Sequence, residues 1–274
     1  MEFKQIRVMQ SSPTIGGEIG GIDLSKKVGE GAQAELHRAL LEYKVLFFRE
    51  QNISVAQHIA FARLFGGLEV HPFAPHLEGY PEVLVIEHGE KRRGRENTWH
   101  SDVTWRLRPA LGSVLRALEV PEVGGDTVFA DMYAAYQGLS DQMQRFLSGL
   151  TAIHDFSHVF GRGYGPDKLK AMQEQYPVVE HPVVRTHPET GRKALYVNAA
   201  FTTGIKGMPP EESGPLLNQL YRQASFPEYQ CRFKWRPNSI AFWDNRAVQH
   251  YAVSDYFPNR RLMHRVTIEG DTPV

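Results

Sequence analysis

The segment SIAFWDNRAVQHYAVSDYFPNRRLMHRVTIEG, residues 239–270, is the most informative part of the chain for the fold. Its two ends, SIAFWDN and RLMHRVTIEG, are rich in branched and aromatic residues, as β-strands are. Similar short runs occur upstream, bounded by Gly, Pro or Asn: KVLFFRE, PEVLVIEHG, SVLRALEV, DTVFADM and KALYVN. Many short strands with few helices predict a mainly β fold, a sandwich or open barrel with flanking helices.

Helical patterns lie between these strands, in AQAELHRALLEY, SVAQHIAFARLFG, SDQMQRFLSGL and PPEESGPLLNQLYRQAS. Ser54 is a possible cap at the start of the second helix, which we expect to end at Gly66. No linker divides the chain, so we expect a single domain over residues 1–274. A mobile insertion is predicted around residues 161–179, where the sequence is polar and rich in Gly and Lys.

The amino-acid composition of the chain limits the kinds of partner that we expect it to bind. Lys plus Arg and Asp plus Glu each number 31, so the chain has no net field to attract nucleic acid or an anionic membrane. The single cysteine, Cys231, excludes an intrachain disulfide and fits a reducing compartment. The polar N-terminus lacks a signal-peptide pattern, and apolar runs such as 45–48 are too short to span a bilayer. These features predict a cytoplasmic protein that binds neither nucleic acid nor membrane.

The motif NTWHSDVTW, residues 97–105, is the strongest local sign of chemistry. On a strand, His100 and Asp102 would point to the same face. With His250 they would form the two-His, one-carboxylate set of non-haem Fe(II) oxygenases. Three protein ligands leave two positions for a chelating 2-oxoacid and one for oxygen. An isolated H-x-D pair also recurs by chance, so a surface His beside an Asp is the alternative interpretation.

Two arginines follow on the next strand-like run. Arg261 and Arg265 share one face of a strand, together with Met263. A buried arginine can bind a carboxylate through two parallel hydrogen bonds. We therefore expect Arg261 to hold the distal carboxylate of 2-oxoglutarate, and Arg265 to bind a second anion. The alternative is a row of solvated surface arginines.

At this point the chain resembles the taurine dioxygenase (TauD/TfdA) family of Fe(II)- and 2-oxoglutarate-dependent dioxygenases, and the taurine branch most closely. The resemblance covers nearly the whole chain. It is carried by IGGEIGGIDLS, WHSDVTW, GGDTVFADMYAAYQGLS, HPVVRTHPETGRKALYVN, FTTGI and the segment from WDNRAVQHY to RRLMHRVTIEGD. It implies a double-stranded β-helix, or jelly-roll, core with flanking helices. It also implies a homo-oligomer, although nothing in the sequence fixes the number of subunits.

The resemblance implies roles for individual residues. It implies that His100, Asp102 and His250 bind Fe(II), and that Thr127 and Arg261 bind 2-oxoglutarate. It further implies that the substrate lies against His71, Phe160, Phe201 and Arg265. The histidines, phenylalanines and threonine would otherwise be ordinary structural residues.

Two positions depart from the taurine pattern. Ala74 replaces a tyrosine, which would enlarge the substrate pocket, and Glu96 replaces an asparagine. Glu96 would add an anion that holds an amine or points to solvent. Trp99 and Asn245 are further candidates for contacts around the metal ligands. The run KRRGR, Lys91 to Arg95, is expected to be a solvated loop.

The predicted function is hydroxylation of a small anionic organic substrate by Fe(II), 2-oxoglutarate and O2, with release of succinate and CO2. A taurine-like organosulfonate, releasing sulfite and an aldehyde, is the preferred substrate. Alkyl sulfate esters, aryloxyalkanoates and amino-acid-like acids are alternatives. Because Asp102 is a carboxylate, halogenation is not expected. Two other classes stay open at this point, a zinc hydrolase and a non-catalytic jelly-roll binding protein.

Overall fold

The fold is built mainly from β-strands. The computed structural model describes residues 2–94 and 96–274, so the end of the KRRGR run at Arg95 lies outside the described residues. The strands of the described residues, in chain order, are β1 Arg7–Gln10, β2 Gly17–Gly20, β3 Val45–Phe48, β4 His76–Leu77, β5 Tyr80–His88, β6 Gly112–Glu119, β7 Thr127–Asp131, β8 Thr151–His154, β9 Val179–Pro182, β10 Val184–Thr186, β11 Lys193–Leu195, β12 Thr202–Ile205, β13 Gln230–Phe233, β14 Ile240–Asp244, β15 Val248–Ala252 and β16 Arg261–Ile268.

A large sheet and three smaller sheets contain these strands. The large sheet has the order β1-β2-β3-β14-β6-β16-β5-β4, and a three-stranded sheet has the order β13-β7-β15. The other two sheets are β12-β8-β9 and β10-β11. Neighbouring strands are antiparallel except for β2 and β3. The prediction of a mainly β fold with a jelly-roll core is confirmed.

An apolar core lies between the large sheet and the β13-β7-β15 sheet. Phe47 and Leu115 come from the large sheet, and Phe129 and Phe233 come from the smaller one. The rings of Phe47 and Phe233 stack with centroids 4.1 Å apart. Burying each such side chain stabilises the fold by about 1.5–3 kcal/mol. This core fixes the spacing between β16, which carries the two arginines, and β15, which carries His250.

Helices cover the outer face of the large sheet and the ends of the smaller sheets. Leu36, Leu40 and Phe61 pack from the first two helices against Phe48 and Phe242 of the sheet. No helix of the described residues is both long and apolar enough to cross a membrane. The α-helices are α1 Glu30–Tyr43, α2 Val55–Arg63, α3 Met132–Gln137, α4 Asp141–Leu147, α5 Ser157–Phe160, α6 Pro166–Gln175 and α7 Pro210–Tyr221, and 3₁₀ turns lie at Gly161–Gly163, Arg222–Ser225 and Pro227–Tyr229.

The predicted cap of α2 is confirmed, but its predicted end is not. Ser54 accepts a hydrogen bond from the Gln57 backbone, and the Gln57 side chain accepts one from the Ser54 backbone. The helix ends at Arg63, three residues before Gly66. The chain leaves the helix early because Leu64 and Phe65 already donate their backbone N–H groups to tighter turns.

The segment predicted as a mobile insertion contains α6. Leu169 and Met172 of this helix pack against an aromatic cluster that includes Trp105, Phe156 and Phe201. The insertion therefore contributes apolar contacts beside the predicted substrate residues. Its mobility stays a prediction.

Cys231 on β13 is buried beneath the sheet, and burial raises the pKa of its thiol to about 12. Because the thiolate is the reactive form of cysteine, we expect the native protein to resist alkylation by iodoacetamide at mildly alkaline pH. The same protein unfolded in guanidinium should take up a single label, as mass spectrometry would show. Rapid stoichiometric labelling of the native protein would contradict this burial.

Candidate metal centre and substrate pocket

A short β-bridge brings the two predicted histidine ligands together. His100 donates its backbone N–H to the His250 carbonyl at 3.1 Å, and His250 returns the bond at 2.8 Å. His250 is held from the other side by the pairing of β15 with β7. The two imidazole centroids lie 4.2 Å apart. Residues far apart in the sequence therefore share one site because of strand pairing.

The sequence predicted that Asp102 would lie on a strand, but it lies in a turn. The bridge to β15 ends at His100, and Val103 has a left-handed backbone with φ of 49°. The Asp102 backbone N–H donates to Oδ1 of Asn245 at 3.2 Å, which anchors the turn. The side chain still faces the histidines, so the predicted convergence holds for a different reason.

The three side chains form a donor set suited to a metal ion. Asp102 Oδ1 lies 3.9 Å from Nε2 of His100 and 3.9 Å from Nε2 of His250. Nδ1 of His100 lies 2.7 Å from the Thr98 carbonyl, so this nitrogen carries the proton and Nε2 keeps its lone pair. Burial holds the pKa of His250 well below its ordinary value, which keeps it neutral. Two imidazole nitrogens and one carboxylate fit Fe(II).

Polar contacts orient the Asp102 carboxylate. Ser113 on β6 donates to Oδ2 at 2.8 Å, and Arg265 donates to Oδ1 at 2.6 Å. Burial alone would raise the pKa of Asp102, but Arg265 and the two histidines hold it below its usual range. Ser113 was not among the predicted residues, because an ordinary strand serine gives no sequence signal.

Two residues were predicted to lie around the candidate ligands, and the structure shows a direct hydrogen bond to a candidate ligand for one of them. Asn245 contacts Asp102 as described, and it also accepts a hydrogen bond from Trp243 Nε1 at 3.0 Å. Trp99 instead packs on Tyr251, with ring centroids 5.5 Å apart. Asn245 is thus the residue of the predicted pair that bonds directly to a ligand's backbone.

The residues predicted to bind 2-oxoglutarate lie around one turn. Arg261 is buried and donates Nε–H to the Gly125 carbonyl at 3.2 Å. A Cβ at Gly125, whose φ is +70°, would lie 3.3 Å from the Arg261 side chain, so glycine allows this approach. Thr127 accepts a bond from Trp235 Nε1 at 2.9 Å, which leaves its own hydroxyl proton free to donate. No carboxylate of the described residues forms an ion pair with Arg261.

Glu96 lies on the same side as Arg261. Its carboxylate is 3.3 Å from Nε2 of His88, which pairs with Arg261 across β5 and β16. Nδ1 of His88 lies 2.9 Å from the Tyr256 hydroxyl. Glu96 is exposed, and its carboxylate lies beside His88 rather than pointing only into solvent.

Aromatic rings connect the predicted substrate histidine to one of the candidate metal ligands. His71 lies 5.4 Å from Phe160, Phe160 lies 6.2 Å from Phe201, and Phe201 lies 6.3 Å from His100, between ring centroids. Burial, with Arg265 and a second arginine nearby, lowers the pKa of His71 to about 3. Its Nδ1 accepts a bond from the Phe73 backbone, so Nε2 carries the proton. The structure thus groups His71, Phe160 and Phe201 as predicted.

Arg265 is the fourth residue predicted to contact the substrate. It shares a face of β16 with Arg261, four residues away, and lies beside Asp102. At about 3.3 Å per residue, the two arginines are separated by roughly 13 Å along the strand. They therefore cannot bind one small carboxylate together.

Two charged residues near this pocket were missed. Glu69 is buried, and its Oε1 lies 3.0 Å from Nη2 of Arg106. In the sequence, Glu69 alternates with His71 on an extended segment, which is a weak sign that both face inward. Its partner Arg106 is far along the chain. No sequence spacing connects the two.

Comparison with known proteins places the chain among dioxygenases. Residues 7–267 match the family described as taurine catabolism dioxygenase TauD, TfdA family. The chain is 35% identical to an alkylsulfatase of Acinetobacter baylyi, over 98% of this chain and 86% of that protein. It is 34% identical to an α-ketoglutarate-dependent sulfonate dioxygenase of Saccharomyces cerevisiae, over 98% of this chain and 68% of that protein.

Solved structures share the fold. A crystal structure of a taurine dioxygenase from Burkholderia xenovorans superimposes with a TM-score of 0.86 and 40% identity, over 99% of this chain and 91% of that chain. The structure of AAD-2 in complex with Mn(II) and N-oxalylglycine gives a TM-score of 0.85 and 31% identity, over 98% and 99% of the two chains.

Proposed function

Because the chain belongs to the TauD, TfdA family of taurine catabolism dioxygenases, we propose that its primary substrate is a small taurine-like organosulfonate. The chain is an Fe(II)- and 2-oxoglutarate-dependent dioxygenase that hydroxylates a small anionic organic molecule and releases succinate and CO2. Its membership excludes the zinc hydrolase and the non-catalytic binding protein as interpretations of the chain. The homo-oligomer expected from the sequence stays a prediction.

In this proposal each residue of the site has a defined task. His100, Asp102 and His250 hold Fe(II), and Ser113 keeps the carboxylate oriented. Arg261 pairs with the distal carboxylate of 2-oxoglutarate, to which Thr127 also donates. Bound together, the metal and 2-oxoglutarate supply the oxygen activation that hydroxylates a C–H bond.

One observation supports a substrate with an anionic head group. Nε of Arg265 is buried and has no hydrogen-bond partner among the described residues, although Nη1 of the same side chain bonds to Asp102. Buried guanidinium donors are normally satisfied. The neutral His71 offers a second N–H donor nearby. An oxyanion bound here would satisfy these donors and hold the substrate beside the metal ligands.

The aromatic rings position the rest of the substrate. Phe160 and Phe201 form an apolar wall between His71 and His100, and they exclude water from the carbon to be hydroxylated. When the hydroxyl forms on the carbon that bears the sulfonate, its proton is lost as a C=O bond forms. The C–S bond breaks with its electron pair on sulfur, so the products are an aldehyde and sulfite.

An alkyl sulfate ester is the second candidate, and two observations favour it. Ala74 is half-buried and stands where the taurine pattern has a tyrosine, so a smaller side chain at this position would leave room for a longer substrate. A Pseudomonas putida relative, 35% identical over 95% of this chain and 88% of its own length, is an α-ketoglutarate-dependent sulfate ester dioxygenase. The same arginine would bind either head group.

A panel of acids tests the proposal. Taurine, a linear alkanesulfonate, an alkyl sulfate, a phenoxyacetate and the matching neutral alcohol would be incubated with Fe(II), ascorbate, 2-oxoglutarate and oxygen. We expect substrate-dependent succinate formation with the sulfonates, and sulfite as the second product. Turnover of the neutral alcohol at an equal rate, or of phenoxyacetate alone, would refute the proposed substrate class.

Arg265→Ala is expected to raise the KM for the sulfonate by roughly 100-fold or more, because a buried anion loses its charged partner. The measurement is the substrate dependence of succinate release. Since Arg265 also contacts Asp102, iron content and 2-oxoglutarate affinity must be measured on the same variant. Arg265→Lys retains the charge beside Asp102 but loses the planar fork, and it should recover part of the KM. An unchanged KM in Arg265→Ala would remove this residue from the pocket.

A further inference from the structure

A buried carboxylate lies in the pocket that the proposed function assigns to the anionic head group. Glu69 and His71 are buried, whereas Val70 between them is exposed, so both polar side chains face inward. The Glu69 backbone N–H donates to the Thr267 carbonyl at 2.9 Å. Thr267 follows Arg265 by two residues on β16, on the same face of the strand. Glu69 therefore approaches the head-group pocket from the end of β16.

Arg106 is the partner of this carboxylate. It follows the turn that carries Asp102, and its backbone N–H closes that turn on the Val103 carbonyl at 3.0 Å. Its Nη2 lies 3.0 Å from Glu69 Oε1, and a quarter of its side chain is exposed. Burial raises the pKa of Glu69 to about 6, and Arg106 and Arg265 oppose that rise. Both arginines also lower the pKa of His71.

The hydrogen bonds of these groups are incomplete. Among the described residues, Nε of Arg106 and Nε of Arg265 are buried without an acceptor, and Oε1 of Glu69 has no well-aligned donor. Buried guanidinium N–H groups are normally satisfied, so two of them without an acceptor favour a ligand with several oxygens. A carboxylate offers two oxygens in one plane. A sulfonate or sulfate offers three oxygens that point in different directions.

We propose that Arg106, positioned by Glu69, is a second head-group residue that makes the pocket select sulfonates and sulfate esters over carboxylates. The proposal rests on the proposed function, in which Arg265 binds the head group. Arg265, Arg106 and His71 come from three segments of the chain, and a head group with three oxygens could accept a hydrogen bond from each. Glu69 balances the charge of Arg106 when no substrate is bound.

Anaerobic calorimetry on the holoenzyme tests this selectivity without turnover. The enzyme, loaded with Fe(II) and 2-oxoglutarate, would be titrated with butanesulfonate and with pentanoate, which differ mainly in the head group. We expect wild type to bind the sulfonate more tightly. Arg106→Gln should weaken sulfonate binding by about tenfold or more, and pentanoate binding by less than about threefold. Arg108→Gln, a change of an exposed arginine two residues away, is the matched control.

The outcomes separate this inference from the proposed function. If Arg265→Gln abolishes sulfonate binding but Arg106→Gln does not weaken it, or weakens both ligands equally, the role of Arg106 is refuted and the proposed function stands. If wild type binds neither ligand, or Arg265→Gln changes nothing, both are refuted. Glu69→Gln keeps the side-chain size and provides a second variant should Arg106→Gln not fold. It is expected to reduce the ratio of sulfonate to pentanoate affinity, and an unchanged ratio would refute the role of Glu69.

Discussion

Alanine at His100, Asp102 or His250 is expected to abolish substrate-dependent succinate formation, with a loss of at least roughly three orders of magnitude, or about 4 kcal/mol. The reason is geometric. Asp102 Oδ1 lies 3.9 Å from both imidazole nitrogens, so each side chain supplies one corner of a small donor set. Removing one corner leaves two ligands, which is too few to retain Fe(II) in a site built for three.

The measurement combines activity with metal content and folding. Iron retained after gel filtration should fall with the activity, while the circular dichroism spectrum stays that of the wild type. His37→Ala is a suitable control, because His37 is about half exposed and pairs with Glu189 away from the triad. A triad variant with near-normal iron content and succinate formation would remove its residue from the ligand set.

The three variants should differ in stability, and the difference is informative. Asp102 is buried and paired with Arg265, so Asp102→Ala leaves an arginine whose side chain is 11% exposed without its partner. Breaking a buried ion pair in this way costs about 3–5 kcal/mol. Asp102→Asn, which can still accept from Ser113 and Arg265, should lose metal with a smaller loss of stability. Comparing the two separates the ligand role of Asp102 from its structural role.

Local sequence patterns were enough to predict β3, β5, β6, β7, β11, β14 and β16, and they pointed to three candidate metal ligands. The run RLMHRVTIEG forms β16 as its composition predicted, and this strand places Arg261 and Arg265 on one face. The motif around His100 also contains two of the three side chains that the structure groups as candidate metal ligands, although Asp102 lies in a turn. The turn was not predictable, because it depends on the bridge to His250 and on the left-handed backbone at Val103.

Contacts between segments that are far apart in the chain could not be predicted from the sequence. Ser113 reaches Asp102 only because β6 lies between β14 and β16. Glu69 and Arg106 meet through two segments that have no common motif. Glu96 illustrates the same limit, since its change from the taurine pattern was evident but its contact with His88 was not. Contacts of this kind join distant segments of the chain, and single-residue patterns do not encode them.

Arg261→Ala is expected to weaken 2-oxoglutarate binding by roughly 100-fold or more, since removing one member of a buried charged pair costs about 3–5 kcal/mol. Arg261 is buried, bonds to the Gly125 carbonyl and forms no ion pair with a described carboxylate. A buried guanidinium in this situation needs an anionic partner. The affinity can be measured by anaerobic calorimetry on the iron-loaded protein.

The adjacent Arg260 gives a close control for this experiment. It lies next to Arg261 in the chain but is exposed, and it pairs with Glu87 and Glu119 on the surface. Exposed pairs of this kind contribute about 0–1 kcal/mol, so Arg260→Ala should leave 2-oxoglutarate affinity nearly unchanged. Equal losses in both variants would indicate a general disturbance of the strand. An unchanged affinity in Arg261→Ala would mean that another residue holds the distal carboxylate, and His88, which faces Arg261 across the strand pair, would then be the next residue to test.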